Sequence, residues 1–462
     1  MAADDPAPGI RPERPEGGTA LSTTKLTSIT VAEALAYILD HFAPLPPEPT
    51  DLLGAAGRVL AEAVASDIDI PPFANSAMDG YAVRAADIAG ATHAAPRTLQ
   101  VIGNVAAGYV SGAAVGAGEA LRIMTGAPLP AGADSVVRFE ETSEGDALRA
   151  GAAHAGPAPD AARAAWRADG AGSAVQVYQA VAAGDNVRQA GEDVRRGQVV
   201  LAAGTVLRPF EVALLAAVGR TQVLTHRRPR VAILSTGDEL VEAGAPVGPG
   251  QIRNSNSYGL AAQVREAGGV PILLGIARDT VAELTALVDE GLATAPDLLV
   301  TSAGVSVGDY DVVKDVLDRE GAMHFWQVRM KPGKPLAFGV VRGVPLLGLP
   351  GNPVSSLVSF EQFGRPAVLR MLGRTALTRP QVTVRVREAI PNSSGREHYI
   401  RAVVTRAPDG TLTAVSTGEQ GSGILTSLTQ ANAMLVVPAE QTLVPEGADV
   451  RAIMLDWPET VF

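Results

Sequence analysis

Apolar positions change their spacing several times along the chain, and each change predicts a different kind of element. Near the N-terminus, SITVAEALAYILDHF repeats apolar residues at helical spacing, with Ser28 or Thr30 as the cap. Short β-like runs interrupted by glycine and proline follow over residues 51–141, and predict a small β domain. A helix is then expected from Pro209, with Gly219 as its stop.

The pattern from about residue 230 is that of an α/β domain. Largely apolar segments (RVAILSTG, VPILLGIARD, DLLVTSAG) alternate with helical ones (SYGLAAQVREAGG, TVAELTALVDEGL, GDYDVVKDVLDREG). Such alternation predicts right-handed crossovers and a doubly wound parallel sheet that is covered on both faces. From about Ala376 strand-like runs return, and predict a separate C-terminal β domain with Asp409–Gly410 as a hairpin turn.

These changes predict a multidomain α/β plus β protein. Low-complexity Ala, Gly, Asp and Arg over residues 143–175 indicate a mobile loop insertion within the first β domain. The predicted regions are a disordered arm (1–25), a discontinuous N-terminal linker domain (26–50 and 176–210), a β hinge domain with the insertion (51–175), the α/β domain (211–375) and a C-terminal barrel-like β domain (376–462).

Composition excludes several classes of function. The 462 residues carry 38 basic and 49 acidic side chains, a net charge of −11, and no basic run is present, which argues against a nucleic-acid binder. There is no cysteine, so disulfides, zinc–thiolate sites and cysteine nucleophiles are excluded. No apolar run approaches the roughly 18 residues of a membrane helix, and the polar N-terminus is not a secretory signal. We therefore expect a cytoplasmic protein that does not contact membranes.

Acidic side chains follow the first two predicted strands of the α/β domain. Asp238 and Glu239 come directly after RVAILSTG; a capping box with Thr236 is the structural alternative, but the sequence that follows cannot continue a helix. Asp279 follows the second strand, where an ordinary helix N-cap is the better interpretation if it is taken alone. Ligands of open parallel sheets bind beyond the carboxyl ends of the strands, which favours a functional role for this edge.

The third loop, TSAGVSVGDYD (301–311), combines glycines with two aspartates. Gly304 and Gly308 allow a tight turn that can aim backbone N–H groups at an anion, and Asp309 and Asp311 follow. A simple turn between strand and helix is the alternative. The length of the loop and its trailing carboxylates favour ligand binding.

The most specific element is MKPGKPLAFG followed by LLGLPGNPVSSLVSF. Lys331 and Lys334 bracket a Pro-Gly turn, so their ammonium groups repel unless an oxyanion neutralises them. Asn352 and Pro353 suit the N-cap and first position of a helix, whose N-terminus is a second seat for an anion. Either lysine alone would be interpreted as an ordinary surface residue. Together the two elements predict an oxyanion site.

Three loops outside this domain carry further candidates. PPFANSAMDGYAVR contains Asp79, RIMTGAP contains Thr125, and NVRQAGEDV contains Glu192 and Asp193, all of which could equally be turn formers. The six histidines show no HxxH spacing, so we expect them to be structural rather than metal ligands.

Taken in order, these loops resemble the molybdopterin molybdenumtransferase family, bacterial enzymes related to the gephyrin C-terminal region. The similar stretches are PPFANSAMDGYAV, MTGAPLPAGADSVV, VRQAGEDV, LSTGDEL, GVSVGDYD, VRMKPGKPLAFG and GLPGNPVSS, spread over residues 71–356. The resemblance implies a Mg²⁺-dependent enzyme that inserts molybdate into adenylylated molybdopterin, releasing AMP and molybdenum cofactor. It also implies a molybdopterin-binding α/β domain and a homodimer with the site between subunits. Contact with the adenylyltransferase and with molybdoenzymes is a further implied possibility.

The resemblance also assigns roles to individual residues. The implied catalytic residues are Asp79, Thr125, Asp193, Glu239, Asp279, Asp311 and Lys331, of which Glu239, Asp279 and Asp311 are the expected Mg²⁺ ligands. The expected substrate- or oxyanion-binding residues are Ser302, Gly304, Ser306, Arg329, Lys334, Pro350, Asn352, Pro353 and Ser355.

Three features depart from the family's pattern. Gln327 stands where related sequences can have a lysine, so we expect Arg329 to supply part of the basic patch. Ala303 stands where a glycine is common, and the insertion at 143–175 is longer than the usual connection. These departures bear on substrate affinity rather than on the carboxylates.

Two other functions compete with molybdate insertion. Adenylylation of molybdopterin by ATP is one, because the α/β domain alone also resembles such enzymes; the loops of Asp79 and Thr125 and the C-terminal β domain favour insertion. A pterin-binding scaffold without chemistry is the other, and the retained carboxylates argue against it.

Overall fold

The computed structural model describes residues 27–149, 172–303 and 321–457. The first strands are β1 (Thr27–Ile29), β2 (Pro47–Asp51), β3 (Val64–Ala65), β4 (Asn75–Ser76), β5 (Gly80–Val83), β6 (Arg97–Val105), β7 (Glu119–Ile123), β8 (Ser135–Arg138), β9 (Ala174–Val177), β10 (Val187–Arg188), β11 (Val199–Leu201), β12 (Gln222–His226), β13 (Arg230–Thr236) and β14 (Leu240–Val241). The later strands are β15 (Ile252–Arg253), β16 (Val270–Ala277), β17 (Leu298–Ser302), β18 (Gly321–Val328), β19 (Met330–Lys331), β20 (Pro335–Val341), β21 (Val344–Leu349), β22 (Gln381–Val386), β23 (Ile390–Pro391), β24 (Glu397–Arg406), β25 (Leu412–Ser416), β26 (Ala433–Val437), β27 (Leu443–Val444) and β28 (Asp449–Met454).

The α-helices of the described residues are α1 (Val31–Leu39), α2 (Ser143–Arg149), α3 (Pro209–Ala217), α4 (Asn256–Glu266), α5 (Val281–Ala293), α6 (Pro353–Ser359), α7 (Arg365–Met371) and α8 (Thr426–Thr429). A π-helical segment, Phe360–Gly364, joins α6 to α7. In the part of the chain that the structure describes, no helix is long and apolar enough to cross a lipid bilayer.

The chain divides into two compact units. The first contains residues up to Glu48, Gly57–Val59 and the chain from Thr225 onwards; the second contains Pro49–Ala56 and Leu60–Leu224. This division is coarser than the domains predicted from the sequence, whose boundaries stay predictions.

The first unit contains a seven-stranded sheet in the order β1-β18-β20-β21-β17-β13-β16. Strands β21, β17, β13 and β16 are parallel, as the alternation of strands and helices predicts. One face packs on α1, α4, α6 and α7, and the other on α5, so the doubly wound architecture is confirmed. The sheet is extended by antiparallel pairings of β20 with β18 and β21, because β20 and β21 form a tight hairpin.

The helices of this unit begin at local signals. Thr30 caps α1, and its side chain and that of Glu33 form a reciprocal capping box, while Ser28 lies in β1. Thr280, not Asp279, caps α5 by accepting from the backbone N–H of Glu283. The N-cap interpretation of Asp279 is therefore wrong, and its carboxylate has no capping function.

The C-terminal part of this unit is a closed barrel. Strands β24, β25, β22, β28 and β26 pair in that order, and β26 returns to β24. The interior is filled by aliphatic side chains, among them Val384, Ile400, Ala402 and Leu435. Outside the ring, β19 pairs in parallel with β24. The barrel-like β domain expected from the sequence is confirmed.

The second unit contains a five-stranded sheet in the order β8-β5-β7-β6-β9. Strands β5, β6, β7 and β8 lie within residues 51–141, where β-like runs are expected, and β9 lies beyond them. Gly80 lies where β5 passes so close to Val137 that a Cβ would collide with the carbonyl oxygen of that residue. The helix expected from Pro209 is α3, and Gly219 follows it with φ +76°.

Two expectations fall wholly or partly outside the described residues. The N-terminal arm 1–25 and the segment 150–171 of the insertion lie there. At the start of the insertion the structure has helix α2 instead of the expected loop, and at its end strand β9 begins at Ala174. The helix expected within 308–321 also falls mostly outside the described residues.

Candidate functional site

The carboxyl ends of β13, β17 and β21 open into a cavity of about 390 Å³. Parallel strands end at a common edge, so residues distant in sequence meet there. The cavity is lined by Thr236, Glu239, Leu240, Ile252, Arg253, Asn254, Ser255, Asn256, Ser302, Ala303, Pro335, Pro350, Gly351, Asn352 and Pro353. Five residues predicted from the sequence, Glu239, Ser302, Pro350, Asn352 and Pro353, are therefore brought together.

Asn256 ties the walls of this cavity together, and sequence reasoning missed it. Its Nδ2 donates to Ser302 Oγ at 2.7 Å and to the carbonyl oxygen of Gly351 at 2.8 Å. Its Oδ1 is buried and has no hydrogen-bond partner among the described residues. The only available signal was an asparagine at the start of a helix that follows a loop. Its side chain joins the ends of β17 and β21 rather than capping α4.

Three carboxylates cluster beside the cavity. The backbone N–H of Asp279 donates to Asp238 Oδ1 at 3.3 Å. Burial raises the pKa of the Asp279 carboxyl, and the negative charges of Asp238 and Glu239 raise it further. The turn needs Gly237, which has φ +145° and would place a Cβ against the Glu239 carboxylate. Since β13 runs through Thr236 into this turn, the capping box weighed for Thr236 and Glu239 does not form.

The donor chemistry here fits Mg²⁺ but the described residues do not complete a metal site. Within 27–149, 172–303 and 321–457, no group of three or more His, Cys, Asp or Glu side chains is arranged to hold a metal. Mg²⁺ prefers oxygen ligands and often takes only one or two carboxylates, with water and phosphate completing the shell. The predicted ligand Asp311 lies outside the described residues, as do Gly304 and Ser306.

The predicted lysine loop adjoins the cavity through Pro335. Lys331 is half-buried at the end of β19, and Lys334 is exposed. Gly333 between them has φ +101°, and a Cβ there would lie 2.5 Å from Ser359 Oγ and 3.0 Å from Met330 Cε. Glycine is therefore the residue that fits this turn without strain.

The two residues discussed as substitutes in the basic patch lie elsewhere. Arg329 is exposed and does not line the cavity, and its charge helps to lower the pKa of Glu33, which two hydrogen bonds from Thr30 lower more strongly. Gln327 lies within β18, opposite Pro335 in β20. Lys331 and Lys334 do not line the cavity either, so the contribution of Arg329 to the oxyanion patch stays a prediction.

The start of α6 differs in detail from the expectation. Asn352 occupies the N-cap position but its side chain makes no capping bond, and Pro353 is the first helical residue. The N–H of Val354 donates to the carbonyl oxygen of Ser422 at 3.1 Å, so a loop of the barrel reaches this helix end. Ser355 is buried in the first turn.

Arg401 lies behind that barrel loop and was also missed. Its side chain is wholly buried; Nε donates to Ser427 Oγ at 3.0 Å and Nη2 to the carbonyl oxygen of Gly421 at 3.1 Å. Nη1 has no partner among the described residues, and burial lowers the pKa of the guanidinium to about 10. A buried cation without a carboxylate partner among the described residues is costly, because nothing there offsets the loss of its hydration.

The second unit holds the other predicted residues. Asp79 Oδ1 accepts from Thr125 twice, from the backbone N–H at 2.7 Å and from Oγ1 at 2.9 Å. Asp193 is exposed, and its N–H donates to the carbonyl oxygen of Ile70 at 2.9 Å. Asp79 and Thr125 thus form one pair, while Asp193 lies on the loop that pairs with the segment before Asp79.

Comparison with family models defines the class of protein. Residues 29–219 match "MoeA N-terminal region (domain I and II)", residues 232–370 match "Probable molybdopterin binding domain", and residues 383–455 match "MoeA C-terminal region (domain IV)". This order of domains defines a multidomain transferase of molybdenum cofactor biosynthesis.

Named relatives specify the family. A molybdopterin molybdenumtransferase of Nostoc sp. is 38% identical over 414 residues, covering 88% of each chain. Molybdopterin molybdenumtransferase 2 of Mycobacterium tuberculosis is 37% identical, covering 91% of this chain and 98% of its own. The crystal structure of the molybdopterin biosynthesis MoeA protein of Pyrococcus horikoshii is 31% identical with a TM-score of 0.74, covering 93% of this chain and 100% of its own. The chain therefore belongs to the molybdopterin molybdenumtransferase (MoeA) family, as its motifs indicated.

Proposed function

We propose that this protein inserts molybdate into adenylylated molybdopterin, releasing AMP and forming molybdenum cofactor in a Mg²⁺-dependent reaction. The observation that carries the proposal is the cavity at the carboxyl ends of β13, β17 and β21, whose lining includes Glu239 of the acidic cluster and Pro335, the residue that follows Lys334. The substrate carries a phosphoanhydride and molybdate is a dianion, so the reaction needs groups of both kinds close together.

The cations would hold the oxyanions. Lys331 and Lys334 lie on a turn fixed by Gly333, and the positive end of the α6 dipole lies at Pro353. Arg401 adds a buried positive charge behind the Ser422 loop that contacts α6. These groups act against the net charge of −11 only because they are local, since screening confines the field of exposed charges to about 8 Å at physiological ionic strength.

Glu239 and Asp279, together with Asp311, would hold the magnesium ion. A bound Mg²⁺ would polarise the phosphoanhydride and offset the charge of the departing AMP. The raised pKa of the Asp279 carboxyl supports this role, because like charges gathered at one turn are relieved by a cation. Asn256 keeps Ser302 and Gly351 in place and so fixes the width of the cavity.

The test is AMP release from adenylylated molybdopterin, with and without molybdate and Mg²⁺. Asp279→Asn and Lys331→Ala should each abolish turnover and leave the fold intact. Asp289→Asn on α5 and Arg265→Ala on α4 are matched controls, since these exposed residues do not line the cavity, and should behave as wild type. Unchanged turnover in both site variants would contradict the proposal, and ATP-dependent adenylylation of molybdopterin would favour the alternative enzyme.

We further propose a cytoplasmic homodimer in which Asp79 and Thr125 serve the α/β cavity of the second copy. Mixing Asp79→Asn with Lys331→Ala subunits distinguishes the arrangements. If the pair acts across subunits, each mixed dimer contains one intact site and activity returns. If it acts within a subunit, every site carries a lesion and the mixture stays inactive. In this proposal the protein would receive its substrate by contact with the adenylyltransferase. It would pass its product on by contact with molybdoenzymes.

A further inference from the structure

One buried histidine has no explanation in the proposed chemistry. His398 lies near the start of β24 and is only 3% exposed. Side chains alternate along a strand, so His398 shares a face with Ile400 and Ala402, which belong to the barrel interior. Its ring therefore lies at the end of the barrel core nearest β19.

The His398 ring has no hydrogen-bond partner within the described residues, since neither Nδ1 nor Nε2 is paired there. Other histidines of this unit are satisfied: His226 Nδ1 lies 2.7 Å from the carbonyl oxygen of Leu45, and His324 Nε2 lies 2.8 Å from Tyr37 Oη. A buried polar ring left unpaired costs free energy, so His398 is not accounted for by packing alone.

The charged side chains that shift the pKa of this ring are all cations. His398 is the register partner of Lys331 in the parallel β19–β24 pairing, which places the two side chains on the same side of the strands. Arg396 and Arg401 on its own strand also act on the ring, and the partner across β26 is the apolar Val437. Arg396 is tied to β19, because its Nη1 donates to the carbonyl oxygen of Met330 at 3.3 Å.

Burial, and after it the charges of Lys331, Arg401 and Arg396 in that order of effect, lower the pKa of His398 to about 4. The ring is thus neutral at physiological pH. An anion beside Lys331 would offset part of the positive potential that these cations create at the ring. The carboxylates of the acidic cluster are not among the charges that shift its pKa.

We propose that His398 takes up a proton when an oxyanion binds beside Lys331, so that this histidine couples anion binding to protonation. This inference rests on the oxyanion-binding site at Lys331 and Lys334 that the proposed function includes. The proton comes from solvent and adds to one ring nitrogen, and no covalent bond to the anion forms or breaks. By linkage, oxyanion affinity then rises as pH falls, and protonation is favoured by the same factor when the anion is bound.

The test is calorimetric titration of the full-length protein with molybdate in two buffers of different ionisation enthalpy, at pH 7.5 and pH 6.0. Wild type should take up a fraction of a proton per molybdate that grows towards one as the pH falls. His398→Gln should lose this increment, and His41→Gln, which replaces an exposed histidine, should keep it. The affinity of wild type should also rise more steeply with acidity than that of His398→Gln.

Equal proton uptake by wild type and His398→Gln would overturn the inference and leave the proposed function standing. If the wild-type protein does not bind molybdate, the proposed oxyanion-binding site is wrong, and so is this inference. If His398→Gln does not fold, wild-type histidine NMR decides: the protein has six histidines, and molybdate should raise the titration midpoint of one imidazole signal. No movement in any of the six would refute the coupling.

Discussion

Acidification from pH 7 to pH 5 should destabilise the barrel through His398, whatever the function of the protein. The pKa of this buried ring is lowered from 6.5 to about 4 in the folded chain. At pH 5 most unfolded chains carry the extra proton and most folded chains do not. The unfolded state therefore binds more protons, and the free energy of unfolding falls as pH drops below 6.5 and levels off near 4. The difference between pH 7 and pH 5 amounts to about 2 kcal/mol.

Urea unfolding of wild type and His398→Gln at both pH values measures this contribution. Other groups titrate in both proteins, so the difference between the two losses isolates His398. Wild type should lose about 2 kcal/mol more than the variant on going to pH 5. His41→Gln should lose as much as wild type. An equal loss in wild type and His398→Gln would refute the neutral buried state of the ring.

Four further substitutions, at three positions, test the geometry of the cavity and of the adjoining lysine turn. Ala303 has φ +77°, so Ala303→Gly should raise the free energy of unfolding by ~0.5–1 kcal/mol, and Ala303→Val should lower it, as read from urea midpoints. Gly333→Ala should cost about 2 kcal/mol or more and weaken molybdate binding in calorimetry, because its Cβ would lie 2.5 Å from Ser359 Oγ. Asn256→Ala should cost about 1–2 kcal/mol and raise the KM for adenylylated molybdopterin, since Ser302 and Gly351 lose their shared donor.

Most helix and strand boundaries of the fold could be predicted from residues that lie close together in the sequence. Thr30 with Glu33, and Pro209 with Gly219, mark helix boundaries through residues three to ten positions apart, and the structure has those boundaries. The β20–β21 hairpin was missed although its signal is local. Arg342 and Gly343 both have positive φ, 46° and 88°, and form a two-residue loop between apolar strands.

The candidate site was predictable where its residues end strands or begin helices. Glu239, Ser302, Pro350 and Pro353 meet because parallel strands finish at one edge. Asn256, Arg401 and His398 gave no such signal. Their significance depends on partners far away in sequence, or on the lack of a partner after burial, and neither can be derived from spacing.

In the proposed function, local positive charge would let a chain with net charge −11 bind oxyanions. A carboxylate placed beside Arg401 would satisfy the guanidinium, but it would also fill the position that an anion needs. An oxyanion that reached Arg401 would recover part of the free energy lost by leaving Nη1 without a partner among the described residues. Under the proposed coupling the ring of His398, unpaired among the described residues, would extend the same principle to the proton, because the same ligand would favour its protonation. Polar groups that are unsatisfied in the folded chain are thus better guides to this site than its satisfied hydrogen bonds.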